Sequence, residues 1–190
     1  MNEALKLEEF TPFDTYLEQE KNSDIRHEYL NGQIIPIEAT TKAHNRIKRN
    51  IIRQIETPEF DETRCELYDE NVLTELLEKK RYVYPDIVTT CQPNEDPLII
   101  KHPTVTFEIL SPSTKKCDKT TKFFRYQLLP SLNQCIFVAQ DEIDVKSFLR
   151  TSDNEWTLTT LTELDQVLNI PSLGSHLAVS DIYRNIQFTA

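Results

Sequence analysis

Thr104-Val105-Thr106-Phe107-Glu108-Ile109-Leu110-Ser111-Pro112-Ser113-Thr114 is the stretch from which this chain is best read. Its apolar side chains recur with a period of two, placing Val105, Phe107 and Ile109 on one face of a strand and Thr106 and Glu108 on the other. Ser111-Pro112 ends the strand, and Asp118 can open a helix on which Asp118, Lys122 and Tyr126 fall one turn apart and share a face. Upstream, Arg81 to Cys91 reads as a second strand running through Tyr84-Pro85-Asp86, with Pro85 favouring an edge or a bulge. On neighbouring strands, Asp86 and Glu108 can converge on a hard cation such as Mg²⁺, which prefers oxygen ligands and keeps several waters. Such an ion serves phosphodiester hydrolysis by neutralising the scissile phosphate and lowering the pKa of a bound water. Glu28 could complete the set. Taken singly, each acid has a plainer role: Asp86 can stabilise a turn after Pro85, and Glu108 can pair with a nearby lysine.

The formal charge of −10 argues against a nucleic-acid ligand until its distribution is considered. Lys42–Arg53, Lys79–Arg81 and Lys115–Arg125 carry five, three and five of the 21 basic residues, and Asp118 is the only acid among them. The rest of the chain is strongly acidic, so these stretches suggest a basic working face, with solvated helix faces as the plainer alternative.

A chain of 190 residues, 38% hydrophobic and 27% charged, can bury a core, and no Gly-, Ser- or Pro-rich linker divides it. One domain spanning residues 1–190 is expected. Acidic residues occupy the N-terminus where a secretory signal needs basic ones, and no apolar run approaches the roughly 20 residues of a bilayer span. Cytoplasmic location without membrane association is therefore expected. Cys65, Cys91, Cys117 and Cys135 stand singly, with no Cys-x-x-Cys pair or zinc spacing, and read as reduced thiols.

Elsewhere, Thr15–Glu20 reads as a short helix, and Asn31-Gly32 signals a turn between two extended segments, with Glu28 just before it. Ala43, Ile47, Ile51 and Ile55 form the apolar stripe of a helix whose other faces carry Arg46, Lys48, Arg49 and Arg53. His44, at its start, could contact a phosphate or serve an uncharged capping role. Further strands are expected at Cys65–Val72 and Gln134–Ala139, with a hairpin from Ile143–Leu149 and Trp156–Leu161. Ser180 would cap a last helix containing Ile182 and Ile186, while His27, His102 and His176 read as structural. The fold class is mixed α and β, with strand outnumbering helix.

Tyr84-Pro85-Asp86, then Phe107-Glu108-Ile109-Leu110-Ser111-Pro112-Ser113-Thr114, then Asp118, Lys122 and Tyr126 resemble the Uma-two family of restriction-endonuclease-like proteins, within the PD-(D/E)XK nuclease superfamily. The likeness extends from Tyr16-Leu17 and Arg26–Gly32 through His44 and Ile47 to Leu173-Gly174. It implies an α+β fold with a central mixed sheet flanked by helices and additional C-terminal strands. It implies also that Asp86, Glu108, Glu28 and the carbonyl of Ile109 hold Mg²⁺ or Mn²⁺, with Ser111, Asp118 and Tyr126 in support. The superfamily pattern places a lysine two residues after Glu108, where this chain has Leu110. Lys122 is the candidate for a relocated catalytic lysine, against an ordinary Asp118–Lys122 ion pair at i and i+4. Tyr126 reads first as a buried core tyrosine, with a hydrogen bond to a site carboxylate as its alternative.

Two functions follow as expectations. One is a metal-dependent endonuclease acting on DNA, its backbone guided by His44, Arg46, Arg49, Lys115 and Lys119. The other is an inactive nuclease fold that binds nucleic acid or protein, linked to mobile elements, which Leu110 and the acidic net charge favour. A symmetric homodimer would suit cutting both strands, and no partner protein is identifiable. With Gly32 and Gly174 the only glycines, no glycine-rich phosphate loop or nucleophile elbow can be written.

Overall fold

The computed structural model describes residues 10–57, 60, 64–111, 118–153 and 155–188, with backbone alone for 118–121. Helix α1 (Phe13–Lys21) starts after Pro12 and precedes the hairpin of β1 (His27–Leu30) and β2 (Gln33–Pro36). The turn residues Asn31 and Gly32 both have positive φ, 53° and 94°, the requirement that an Asn-Gly pair meets without strain. Helix α2 (Lys42–Ile55) is capped by Thr41, whose Oγ1 accepts from the His44 N–H at 3.1 Å. Of its expected stripe of Ala43, Ile47, Ile51 and Ile55, the three isoleucines are fully buried and Ala43 is half-buried.

Strands β3 (Glu66–Asp69), β4 (Leu73–Leu77), β5 (Arg81–Val83), β6 (Ile87–Thr90), β7 (Ile99–Ile100) and β8 (Val105–Leu110) precede helix α3 (Asp118–Tyr126). Strands β9 (Gln134–Ala139), β10 (Val145–Ser152) and β11 (Glu155–Leu161) follow it. They form two sheets, ordered β2-β1-β5-β4-β7 and β11-β10-β9-β8-β6-β3. The β8–β9 pair is parallel, joined by the α3 crossover, whereas β6–β8 and β9–β10 are antiparallel. The six-stranded sheet is thus the expected central mixed sheet. The five-stranded one is a second sheet that local patterning did not reveal.

The single strand expected from Arg81 to Cys91 is in fact two strands in different sheets. Pro85 lacks the N–H that a ladder needs, and across Tyr84-Pro85-Asp86 the chain leaves β5 for β6. Asp86 therefore sits where the chain changes sheets. The strand expected at Cys65–Val72 likewise ends at Asp69, and a turn through Asn71, φ 83°, leads into the unanticipated β4.

Strand β8 is buried on both faces. Val105, Phe107 and Ile109 pack with Ile47, Ile51 and Ile55 of α2, while Leu110 packs with Tyr126, Cys135 and Phe137 on the other side. Covering both faces is what a parallel central pair requires.

At the C-terminal end, β12 (Val167–Ile170) and β13 (Ser175–Ala178) form a ribbon that runs into the single turn of α4 (Val179–Ile182). The helix expected from a Ser180 cap to Ile186 is not formed: Ser180 lies inside the turn, which has no side-chain cap. Nδ2 of Asn50 on α2 donates to the carbonyls of Ile182 and Arg184 at 3.0 and 2.9 Å, where the helix ends.

The cysteine expectation is also corrected. Cys65 and Cys91 form a disulfide. The antiparallel β3–β6 register sets Glu66 opposite Thr90, and one step further brings the two cysteines face to face with Cα atoms 4.0 Å apart. Cys135 is a buried free thiol, and Cys117 lies outside the described residues. No helix among the described residues is long and apolar enough to cross a membrane.

Candidate active site

The β6–β8 register pairs Ile87 with Phe107, so one step further sets Asp86 level with Glu108. The Asp86 carboxylate accepts the Ile109 N–H at Oδ2, 2.6 Å, and the His44 Nε2–H at Oδ1, 2.9 Å. Glu108, 4% exposed, accepts from the Tyr126 hydroxyl at 2.5 Å and from Lys122 Nζ at 2.9 Å, one on each oxygen. Both acids open on a cleft of about 350 Å³, whose walls also include Glu28, His44, Ile109, Ser111 and Lys122.

Glu108 is electrostatically perturbed. Burial raises its pKa, the Lys122 charge lowers it, Asp86 raises it, and the hydrogen bonds from Tyr126 and Lys122 lower it again. The balance leaves it pushed up to about 7. Burial, and then the charge of Glu108, push the Tyr126 phenol well above its ordinary value. Burial likewise raises the Cys135 thiol, which lies close enough to Glu108 for their charges to interact.

The structure brings Asp86, Glu108, Lys122, Glu28, Ile109, His44 and Ser111 to one cleft, with Tyr126 buried at its back. Lys122 reaches Glu108 from α3, as the shared-face argument requires. Both readings of Tyr126 hold at once, because it is a core residue and a donor to the site carboxylate. Leu110 is buried in the same apolar cluster. Lys115 and the side chains of Asp118 and Lys119 lie outside the described residues.

The capping role considered for His44 is taken by Thr41, and the His44 ring instead bonds Asp86. Arg46 and Arg49 line a separate groove of about 410 Å³ with Lys42 and Arg53. Steps of four, three and four residues set these four cations on one face of α2. Lys48, expected among them, is instead 2% exposed and pairs with Glu70 at 2.7 Å and Asp69 at 3.8 Å. Groove and cleft meet at Thr40 and Thr41, which line both.

Three cleft residues were not anticipated. Thr41 donates to Gln140 at 2.6 Å while capping α2, and a threonine three residues before His44 was a readable cap signal. Gln140 had no local signal, because it reaches the cleft only through the parallel β8–β9 pairing, its N–H donating to the Leu110 carbonyl at 3.1 Å. The Tyr84 hydroxyl donates to buried Glu20 at 2.9 Å, and Glu20 also takes up the His27 N–H and ring, giving His27 the structural role expected of it.

Glu28, Asp86, Glu108 and the Ile109 carbonyl offer this cleft oxygen donors, which suit Mg²⁺ or Mn²⁺, while the one imidazole on its wall, His44, is bonded through Nε2 to Asp86. Among the described residues no three His, Cys, Asp or Glu side chains are grouped so that together they could hold a metal ion. A small hard ion held by one or two carboxylates and its own waters needs no such group. The Asp86–Glu108 repulsion that raises the Glu108 pKa is also what a cation between them would relieve.

A mixed sheet presenting two acids from adjacent strands, flanked by α2 and α3, defines a restriction-endonuclease-like fold. The crystal structure of "a putative nuclease belonging to DUF820" from Anabaena variabilis shares it, with a TM-score of 0.73 at 20% identity over 90% of this chain and 97% of that one. The chain belongs to the Uma2 family, described as "Putative restriction endonuclease", which matches residues 13–180. Two uncharacterized proteins of Synechocystis sp. are similar to it. One, slr1290, is 27% identical over 92% of each chain, and the other, sll1609, is 27% identical over 77% of this chain and 84% of its own.

Proposed function

We propose that the protein is a divalent-metal-dependent endonuclease that hydrolyses DNA phosphodiester bonds. One observation carries this reading: Asp86 and Glu108 meet on one cleft across the β6–β8 pairing, and Lys122 returns to it from α3. Mg²⁺ or Mn²⁺ would be held by Asp86, Glu108 and the Ile109 carbonyl together with its own waters, with Glu28 on the same cleft wall as the further acid, and would supply charge neutralisation at the phosphate and an acidified water. His44 and the Ile109 N–H fix the orientation of Asp86 before substrate arrives. Tyr126 does the same for Glu108 from the core.

Lys122 takes the part of the relocated lysine, its ammonium steadying the phosphate or the attacking water. Arg46 and Arg49, with Lys42 and Arg53 beside them, draw the DNA backbone along α2 toward the cleft. Lys115 and Lys119 are assigned to the backbone on the basic charge of their stretch, and Ser111 and Asp118 to support on the family resemblance, whereas His44 is assigned to Asp86 rather than to phosphate. Purified protein is expected to nick plasmid DNA with Mg²⁺ or Mn²⁺. Asp86→Ala and Glu108→Ala should abolish cutting while keeping a cooperative thermal transition, and undiminished cutting by Asp86→Ala would sink the proposal.

Leu110, 1% exposed where the superfamily pattern has lysine, favours a second reading: a nuclease fold that binds nucleic acid or protein without cutting. Calorimetric titration with Mn²⁺ separates the two, because an absence of binding heat leaves only the second.

A further inference from the structure

The basic stretch Lys79–Arg81 takes no part in the function above, yet it does not stand alone. Arg81 lines a cleft of about 300 Å³ with Arg125 and Phe124 of α3 and with Leu30 and Asn31 at the β1–β2 turn. Lys79 and Lys80 are exposed on the adjoining turn, which is tied to this hairpin by the Asn31 N–H donating to the Lys80 carbonyl at 2.6 Å. Neither Arg81 nor Arg125 makes an ion pair among the described residues, although the chain carries ten more negative than positive charges.

Phe124 is 56% exposed, whereas its neighbour Phe123 is stacked on Phe148 at 3.9 Å and edge-on to Trp156 at 5.4 Å. Phe123 thereby pins the rotation of α3, so that Phe124 presents its ring outward beside two guanidinium groups. An exposed aromatic ring with flanking arginines suits a nucleobase better than an apolar protein surface, because the base stacks while its phosphates meet the cations.

The position relates this platform to the catalytic cleft. Glu28 lines that cleft and Leu30 lines the platform, two residues along the same face of β1, or about 7 Å. On α3, Lys122 and Arg125 are neighbours one turn apart in the same relation. The separation along β1 is on the order of one or two nucleotides of strand, so a strand crossing the catalytic cleft would reach the platform.

We propose that Phe124, with Arg81 and Arg125, forms a stacking platform for an unpaired base beside the scissile phosphate, so that the nucleic acid recognised is single-stranded at that point. This rests on the cleft being a nucleic-acid site, though not on its cutting. Stacking requires a free base face, which a paired duplex does not offer to a side chain at its flank.

The test is fluorescence anisotropy with labelled single-stranded DNA, single-stranded RNA of the same sequence, and the corresponding DNA duplex, all in EDTA so that no cleavage intervenes. Phe124→Ala is expected to weaken binding of a single strand by about 5- to 150-fold, to leave duplex binding within about twofold, and to melt at the wild-type temperature. Phe124→Tyr should restore single-strand binding. A Phe124-dependent loss on either single strand supports the platform, and the tighter of the two names its source. Equal losses on single strand and duplex, no loss on either, or a self-association in sedimentation that Phe124→Ala dissolves would overturn it. Because no metal is present, a selective loss would stand even if the Asp86→Ala comparison showed no nuclease. Active nuclease with unaltered Phe124→Ala binding would remove the platform alone.

Discussion

Replacing Glu108 with glutamine should make the protein more stable at alkaline pH, although Glu108 accepts a hydrogen bond on each of its oxygens. Folded Glu108 keeps its proton up to about pH 7, whereas the same carboxyl ordinarily releases it near 4.5. Between these values the native state binds more protons than the unfolded chain, so this residue's contribution to stability falls as pH rises through that window. At about 1.4 kcal/mol per pH unit, the loss is complete above pH 7 and amounts to about 3 kcal/mol. Glutamine never ionises, so it does not incur that cost. Its amide oxygen still accepts from Tyr126, and Lys122, whose side chain is 22% exposed, can turn to water. Glu108→Gln should therefore match the wild type near pH 4.5 and exceed it by up to about 3 kcal/mol at pH 8. In a chain of this length that corresponds to roughly 6–12 °C in Tm. Urea and thermal unfolding in EDTA at pH 4.5, 6 and 8 measure the difference directly. A Glu108→Gln protein equal to or less stable than the wild type at pH 8 would refute the reasoning. If the cleft holds a cation, adding Mn²⁺ should raise the wild-type Tm and leave that of Glu108→Gln nearly unmoved.

Breaking the Cys65–Cys91 disulfide, by Cys91→Ser or by a thiol reductant, should lower stability by about 3 kcal/mol from the restored freedom of the 26-residue loop, read as a shifted urea midpoint; an unmoved midpoint would count against the bond. Tyr126→Phe removes a buried hydrogen bond to a carboxylate and should cost about 1.5–3 kcal/mol in thermal unfolding. That cost should be larger at pH 8 than at pH 5, because the bond favours the charged form of Glu108; a pH-independent cost would contradict the assignment. The double variant Arg46→Ala, Arg49→Ala should flatten the dependence of log K on log salt for DNA by up to about 2 units, and an unchanged slope would take these residues off the backbone track.

Much of this fold and part of its site could be read from short stretches of chain. The alternation in Thr104–Leu110 placed Glu108 opposite an apolar face, the Ile47–Ile55 stripe defined α2, and Asn31-Gly32 defined the first hairpin. The one-turn spacing of Lys122 and Tyr126 predicted that they share a face, and both reach Glu108. These features depend on backbone sterics and side-chain direction over a few residues, which any segment carries with it. Other features depended on partners distant in the chain. Pro85 signalled an interruption, but only the sheets show that the chain changes sheet there and so holds Asp86 against Ile109. The pairing of Cys65 with Cys91, the burial of Lys48 against Glu70, and the seizure of His44 by Asp86 have no local sign. The altered acidity of Glu108 belongs with them. Register, burial and the field of neighbouring charges arise only when distant segments meet, and it is this meeting that turns separate acids into a site.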